Sequence, residues 1–294
     1  MQAADVVRAV DAAMEVASEL DLPVADARAL HNSNKLALRL LPCDVLARVA
    51  FAGLEEFQTE LEIGRRLAEL EAPVASPEPR VERRVYQRHG FAVTLWTYYE
   101  QTRQEVSPAD YAKALERLHA GMAKIDVTVP HFSDRVAEAQ QLVASPDRTP
   151  ELRDSDRKLL SRTLRSQRRA IIQRSSAEQL VHGEPHAGNL LSTKGGPLFI
   201  DLETCCRGPV EFDLAHVPQE VSECYASVDQ ELLRACRPLV LAMVAAWRWD
   251  PDDQFPNGER AGQELLGALR AGPPWPSLDV VWPDPGGSKR HATL

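Results

Sequence analysis

The 294-residue sequence predicts an α+β chain in which a small N-terminal antiparallel sheet with one helix precedes a larger, mainly helical part. Three observations carry that expectation. Hydrophobic periodicity is strand-like over residues 26–51 and again over 81–99, one helical run separates these stretches, and most of the chain after residue 107 repeats at helical spacing.

The elements follow in order. A first helix is expected from Gln2 to about Leu20, stopped by Asp21-Leu22-Pro23. In "DARALHNSNKLALRLLPCDVLARVAF" three strand-like runs are broken by "HNSN" and "PCD", the punctuation of antiparallel hairpins. A helix with Phe57, Leu61, Leu67 and Leu70 on one stripe comes next, and it closes before the proline-rich "ASPEPR". Two further strands, "VERRVYQR" and "FAVTLWTYY", are expected to meet at His89-Gly90. Ser107 as N-cap, Pro108 at the first helical position and Asp110 in the first turn then open a helix with Tyr111, Leu115, Leu118 and Met122 along one face. These shifts divide the chain into residues 1–95, a linker over 96–100 and a helical part over 101–294, and a cleft between two lobes is where a ligand would sit.

Composition bounds the function. The net charge of −9 argues against nucleic acid as a partner and favours a cationic small molecule. The basic run Arg157 to Arg174 reads as a solvated helix face with Leu160, Leu164 and Ile171 inward, because no aromatics interleave with the arginines. No apolar run approaches the roughly 18 residues of a membrane span, so no membrane partner is expected. Five cysteines (Cys43, Cys205, Cys206, Cys224 and Cys236) lack any CxxC pair, the pattern of reduced thiols and a cytoplasmic protein.

The chemistry-bearing stretch is "LVHGEPHAGNLL", residues 180–191. Its His-x-Glu-x-His offers zinc-type ligands, yet the Pro-Cys-x-x-Cys that would complete a deaminase site is missing; Cys205 and Cys206 are adjacent and would point to opposite sides of an extended backbone. A bland alternative makes Glu184 and Asn189 decoration on a surface turn, with His182 filling a polar gap. Phosphoryl transfer fits better. His182, Glu184 and Asn189 have the spacing of His-x-Asp-x-x-x-x-Asn, in which the acid accepts the acceptor hydroxyl's proton and the Asn oxygen binds Mg²⁺. Downstream, "NLLSTKGGPLFIDLE" predicts two short strands around a turn, with Asn189 and Asp201 side by side at the open end, two oxygen ligands for Mg²⁺.

"LVHGEPHAGNLL", "LFIDLET" and "GPVEFDLAHV", in that order and spacing, resemble the catalytic half of the aminoglycoside phosphotransferase family, also called the phosphotransferase enzyme family. That resemblance implies a bilobal protein-kinase-like fold and transfer of the γ-phosphoryl group of ATP or GTP to a hydroxyl of a small molecule. It implies Glu184 as catalytic base, His182 as a structural brace, Asn189 and Asp201 as Mg²⁺ ligands, Glu203 as an outer metal contact, and Asp213 as a brace of the loop through backbone N–H groups. Asp213 also reads as a helix N-cap before Leu214 and Ala215. In the N-terminal half, "HNSNKLALRLL" resembles the hairpin over the phosphates, with Ser33 in its turn, "DVLARV" the strand bearing the phosphate-gripping cation, here Arg48, and "TELEIGRRLAEL" the helix whose Glu60 orients it. Backbone groups of Trp96, Thr97 and Tyr98 would meet the adenine edge. Glu220, Glu223, Asp229 and Glu231, with Trp247 and Trp249 as a wall, are the acceptor-site candidates.

Three departures stand out: Glu184 where the family usually has Asp, Arg48 where Lys is common, and no glycine in "HNSN". They motivate a rival in which the chain is a kinase-fold binding protein that has lost transfer activity. A zinc hydrolase is a third alternative.

Overall fold

The computed structural model describes residues 1–32, 35–51, 54–175, 177–253, 255, 257–276 and 278. Ser33 and most of the proline- and glycine-rich tail lie outside the described residues. The chain divides into two compact units, the first made of Met1–Glu105, Ala120–Val129 and Ser192–Thr204, the second of Val106–His119, Pro130–Leu191 and Cys205 onward.

The first unit is built on a five-stranded antiparallel sheet with strand order β1-β2-β3-β5-β4. Its strands are β1 (Val24–Asn32), β2 (Leu36–Pro42), β3 (Val45–Phe51), β4 (Tyr86–Arg88) and β5 (Phe91–Thr97). Side-chain alternation sorts its two faces. Leu36, Leu38, Leu40, Val45, Ala47, Val49, Val93 and Leu95 share one face and pack against α1 (Ala3–Glu19). That helix turns Ala9, Ala12, Ala13 and Ala17 inward, and such small side chains let its backbone come close to the strands. On the opposite face lie Ala50 and Ala92, which pack with Phe57 of α2 (Leu54–Glu69). With both faces covered, β5 is buried at six consecutive positions instead of alternating, and all but Thr94 of these are apolar.

Two expectations need correction. Only Tyr86–Arg88 of "VERRVYQR" is a strand, because Glu82 closes a local turn by accepting from the Arg84 N–H and the Tyr86 hydroxyl at its carbonyl. Leu70 is 42% exposed rather than part of the α2 stripe, since the helix ends at Glu69 and Glu71 takes the left-handed φ of 55° that redirects the chain.

Phe199, in the short strand β8 (Gly196–Phe199), is drawn to this unit by backbone pairing: its N–H donates to the Pro73 carbonyl and its own carbonyl accepts from the Ala75 N–H. This anchors the start of "DLE" beside the sheet.

The second unit is helical: α3 (Pro108–Met122) contributes Tyr111, Leu115 and Leu118, alongside α4 (Phe132–Ala144), α5 (Asp154–Arg174), α6 (Val210–Leu214), α7 (Gln219–Cys224), α8 (Gln230–Trp247) and α9 (Gly258–Ala271). Helix α8 is buried almost all round, from Leu232 to Ala246, as expected of a helix packed by α4, α5, α6 and α9. Strands β6 (Gln179–Val181) and β9 (Cys206–Gly208) pair antiparallel, and this pairing frames the "HGEPHAGN" loop. Strand β7 (Leu190–Thr193) leads out of that loop, and the turn expected after it is closed by the Thr193 hydroxyl donating to the Gly196 carbonyl. Among the described residues no helix is long and apolar enough to cross a membrane.

Gly64 of α2 has no room for a side chain: a Cβ there would meet the Trp96 ring at 2.9 Å, with Leu202 also close. Gly64→Val is expected to cost about 2 kcal/mol in urea unfolding, the usual scale for forcing bulk into a packed core. An unchanged midpoint and slope would show that the Trp96 ring yields freely.

Candidate active site

The predicted residues fall into one cluster in each unit. In the first, Arg48 on β3 projects from the α2 face of the sheet, opposite Ala37. Its guanidinium forms ion pairs with Glu60 of α2 and with Asp201. Glu60 is 1% exposed, so its charge depends on its partners. Burial works against the charge on Arg48, but Glu60 and Asp201 outweigh it and hold its pKa above the ordinary value. Asp201 has a left-handed φ of 64°, an uncommon state for a residue with a side chain and one that collects at functional sites.

Lys35, which the sequence reading quoted without assigning, joins this cluster. Its ammonium lies 3.4 Å from Glu60 and 3.9 Å from Asp201, and it pairs with Glu203. Burial pulls its pKa below the ordinary lysine value, with Arg48 in the same sense and Glu60 and Asp201 opposing. Glu203, expected as an outer metal contact, is thus also a lysine partner.

The proposed adenine-contacting residues are strand residues or their neighbours. Trp96 is buried, with its indole N–H donating to Thr94 Oγ1. Thr97 donates its N–H to the Ser76 carbonyl at 2.9 Å, because residues 76–78 run alongside β5; that donor is therefore spent within the protein and does not meet a base edge. Tyr98 follows the strand, with the Arg39 guanidinium 4.1 Å from its ring centroid.

In the second unit, Asp213 organises the loop. It accepts from the backbone N–H groups of His182 and Gly183, both at 2.8 Å, and from His119 Nε2 at 2.9 Å. Burial raises the Asp213 pKa, but these partners, His119 foremost, outweigh it and leave it below the ordinary value. The N-cap reading of Asp213 does not hold: α6 begins after Pro209, so Asp213 sits in its last turn. Gly183 has φ 89°, which suits a glycine between His182 and Glu184. The His182 ring is fully buried and its Nδ1 accepts from the Glu184 N–H at 3.3 Å. Tyr111 adds a hydroxyl bond to the Pro185 carbonyl.

Asn189 Nδ2 donates to the Glu184 carbonyl at 3.0 Å. A carbonyl only accepts, so the amide orientation follows, and Asn189 Oδ1 is left as an acceptor or metal ligand. The Glu184 carboxylate forms an ion pair with Arg135 of α4, a residue not singled out from sequence. Burial pushes Glu184 up, yet Arg135, with His186 and His216, holds it below the ordinary carboxylate range. The Arg135 guanidinium also lies 5.2 Å from the Trp247 ring centroid, so this acceptor-site candidate is one side chain removed from Glu184.

The other acceptor candidates separate from it. Trp249 is buried, packed where Gly262 leaves space, so it does not form a wall with Trp247. Asp229 caps α8 and pairs with Arg174, and Glu231 pairs with Arg234 on the surface. Glu220 and Glu223 are exposed on α7, where Glu223 accepts from Gln219. Among the described residues no three His, Cys, Asp or Glu side chains gather as a metal site, so the zinc reading has no constellation to rest on. Asn189 offers an amide oxygen in the second unit, and Asp201 and Glu203 offer carboxylates in the first.

The first unit thus holds Arg48 and Lys35 against the buried Glu60 of α2, and the second holds a loop braced by the buried Asp213. The family model described as the phosphotransferase enzyme family matches residues 32–235, more than half of the chain, and the chain belongs to that family. No protein of curated function matches it in sequence. Among solved structures it is similar to an amicoumacin kinase in complex with AMP-PNP, Ca²⁺ and amicoumacin (TM-score 0.68, 12% identity, covering 95% of this chain and 100% of that one). It is similar as well to a spectinomycin phosphotransferase in complex with ADP and spectinomycin (TM-score 0.63, 14% identity, 92% and 99% covered). Choline kinase from Streptococcus pneumoniae is a third (TM-score 0.64, 15% identity, 88% and 97% covered). Identities this low establish the shared fold.

Because the Asp213 pKa is depressed below 3.8, its stabilisation is present above that value and is lost as pH falls through the folded-state pKa. Asp213→Asn is expected to destabilise by about 3 kcal/mol at neutral pH. The gap to the parent in urea midpoint should narrow as the pH falls below the ordinary aspartate pKa of about 3.9; a gap that stays constant or widens would contradict the assignment.

Proposed function

We propose that this protein transfers the γ-phosphoryl group of ATP or GTP to a hydroxyl of a small molecule. The reading is carried by the braced loop, on which Asp213 fixes the backbone that presents Glu184 and leaves Asn189 Oδ1 turned away from its own carbonyl partner. Arg48, oriented by Glu60, would grip the phosphates, and Asn189 with Asp201 would hold Mg²⁺. Bound there, the ion supplies neutralisation of the charge on the β- and γ-phosphate oxygens. Glu184 would orient the acceptor hydroxyl and take its proton late in a loose transition state. Its depressed pKa, held down by Arg135 against burial, keeps it ionised at neutral pH.

The similar structures include an amicoumacin kinase and a spectinomycin phosphotransferase with those antibiotics bound, and a choline kinase, so hydroxylated antibiotics and amino alcohols form a rational acceptor panel. The net charge of −9 favours a cationic acceptor. One observation favours the rival reading, a nucleotide-binding protein without transfer: the Arg135–Glu184 ion pair engages the base itself.

ADP release with Mg²⁺-ATP or Mg²⁺-GTP across that panel decides between them. Glu184→Gln and Asp201→Asn should each lower turnover by about 10²-fold or more. Nucleotide binding with no acceptor ever phosphorylated would leave the binding protein as the answer. In an active parent, Arg135→Met removes the cation that opposes burial at Glu184, so the acid limb of kcat/KM should move to higher pH. An unmoved limb would rule Glu184 out as the titrating base.

A further inference from the structure

The loop expected over the phosphates contains no glycine in "HNSN", and close approach of backbone N–H groups to a phosphate normally relies on glycine there. Lys35 follows that loop directly. It is one residue before Leu36, which pairs with Val49, so Lys35 shares a sheet face with Ala37 and Arg39 and with Arg48 on the neighbouring strand. Its side chain is 13% exposed and its ammonium sits 4.7 Å from the Phe57 ring centroid, which limits where it can swing.

We infer that Lys35 is a second phosphate-binding cation, taking with Arg48 the role that a glycine-rich loop would otherwise fill. This rests on the phosphotransferase reading above. Lys35 and Arg48 face three carboxylates, Glu60, Asp201 and Glu203. With Asp201 and Glu203 engaged by a metal–nucleotide, both cations would keep Glu60 as an anchor and would have N–H donors to offer phosphate oxygens. An ammonium offers three donors in flexible directions and a guanidinium a rigid fork, so the two are complementary rather than redundant. Glu60, shared by both, holds their heads on one side of the helix.

Calorimetric titration of the full chain with Mg²⁺–AMP-PNP and with adenosine tests this. Lys35→Met should weaken AMP-PNP about tenfold or more, the scale of one charge-assisted bond, and leave adenosine affinity unchanged. Lys35→Arg should recover much of the loss because the charge stays. If Lys35→Met binds AMP-PNP as tightly as the parent, or loses both ligands alike, Lys35 is a structural residue and the inference fails while the phosphotransferase reading stands. A parent that binds neither ligand overturns both.

Discussion

Glu60 is a carboxylate taken almost wholly out of water and held between Arg48 of β3 and Lys35, the residue before β2. Stripping water from such a group costs several kcal/mol, and only close partners with satisfied geometry offset it. Both cations must therefore stay on the α2 face of the sheet, and α2 must present that face. The requirement reaches into the packing: Gly64, one turn along from Glu60, admits Trp96 of β5 against the helix, and Phe57, a turn before it, seals Ala50 and Ala92. Helix α1 takes the other face with its alanine stripe, so the position of the charges on this sheet is fixed by apolar contacts on both sides.

Asp213 plays the corresponding part in the second unit. Being fully buried and accepting two backbone N–H groups, it converts a short glycine-containing loop into a fixed one. The loop's side chains then have little choice. His182 fills the interior, the Asn189 amide is oriented by a carbonyl, and Glu184 stays partly exposed beside Arg135. The two carboxylates are held differently: Asp213, under the loop, is saturated with donors, whereas Glu184, upon it, keeps an edge toward solvent.

Arg135 gives the family departure at Glu184 a physical setting. A glutamate is one methylene longer than the usual aspartate, and a guanidinium that is itself stacked near Trp247 offers that longer side chain a defined resting place. The same contact keeps the carboxylate charged despite burial.

Much of this was legible in the chain itself. Strand alternation, the Ser107-Pro108 helix start and the apolar stripes of α3 and α5 come from local periodicity, and the three motif blocks name the residues that the loop and "DLE" carry. What was missed is instructive. Lys35 looks like any strand-end charge, and only the β2–β3 register puts it on the face of Arg48. Arg135 sits on the inward stripe of α4 between Phe132 and Ala139, a hint that some anion awaits it, but the identity of that anion depends on a loop 49 residues further on. The sequence by itself determined which groups are chemically capable, because motif spacing and periodicity are local properties. Which charges share a carboxylate was decided only by tertiary structure, because ion pairing depends on distances in space that register and helix packing set together.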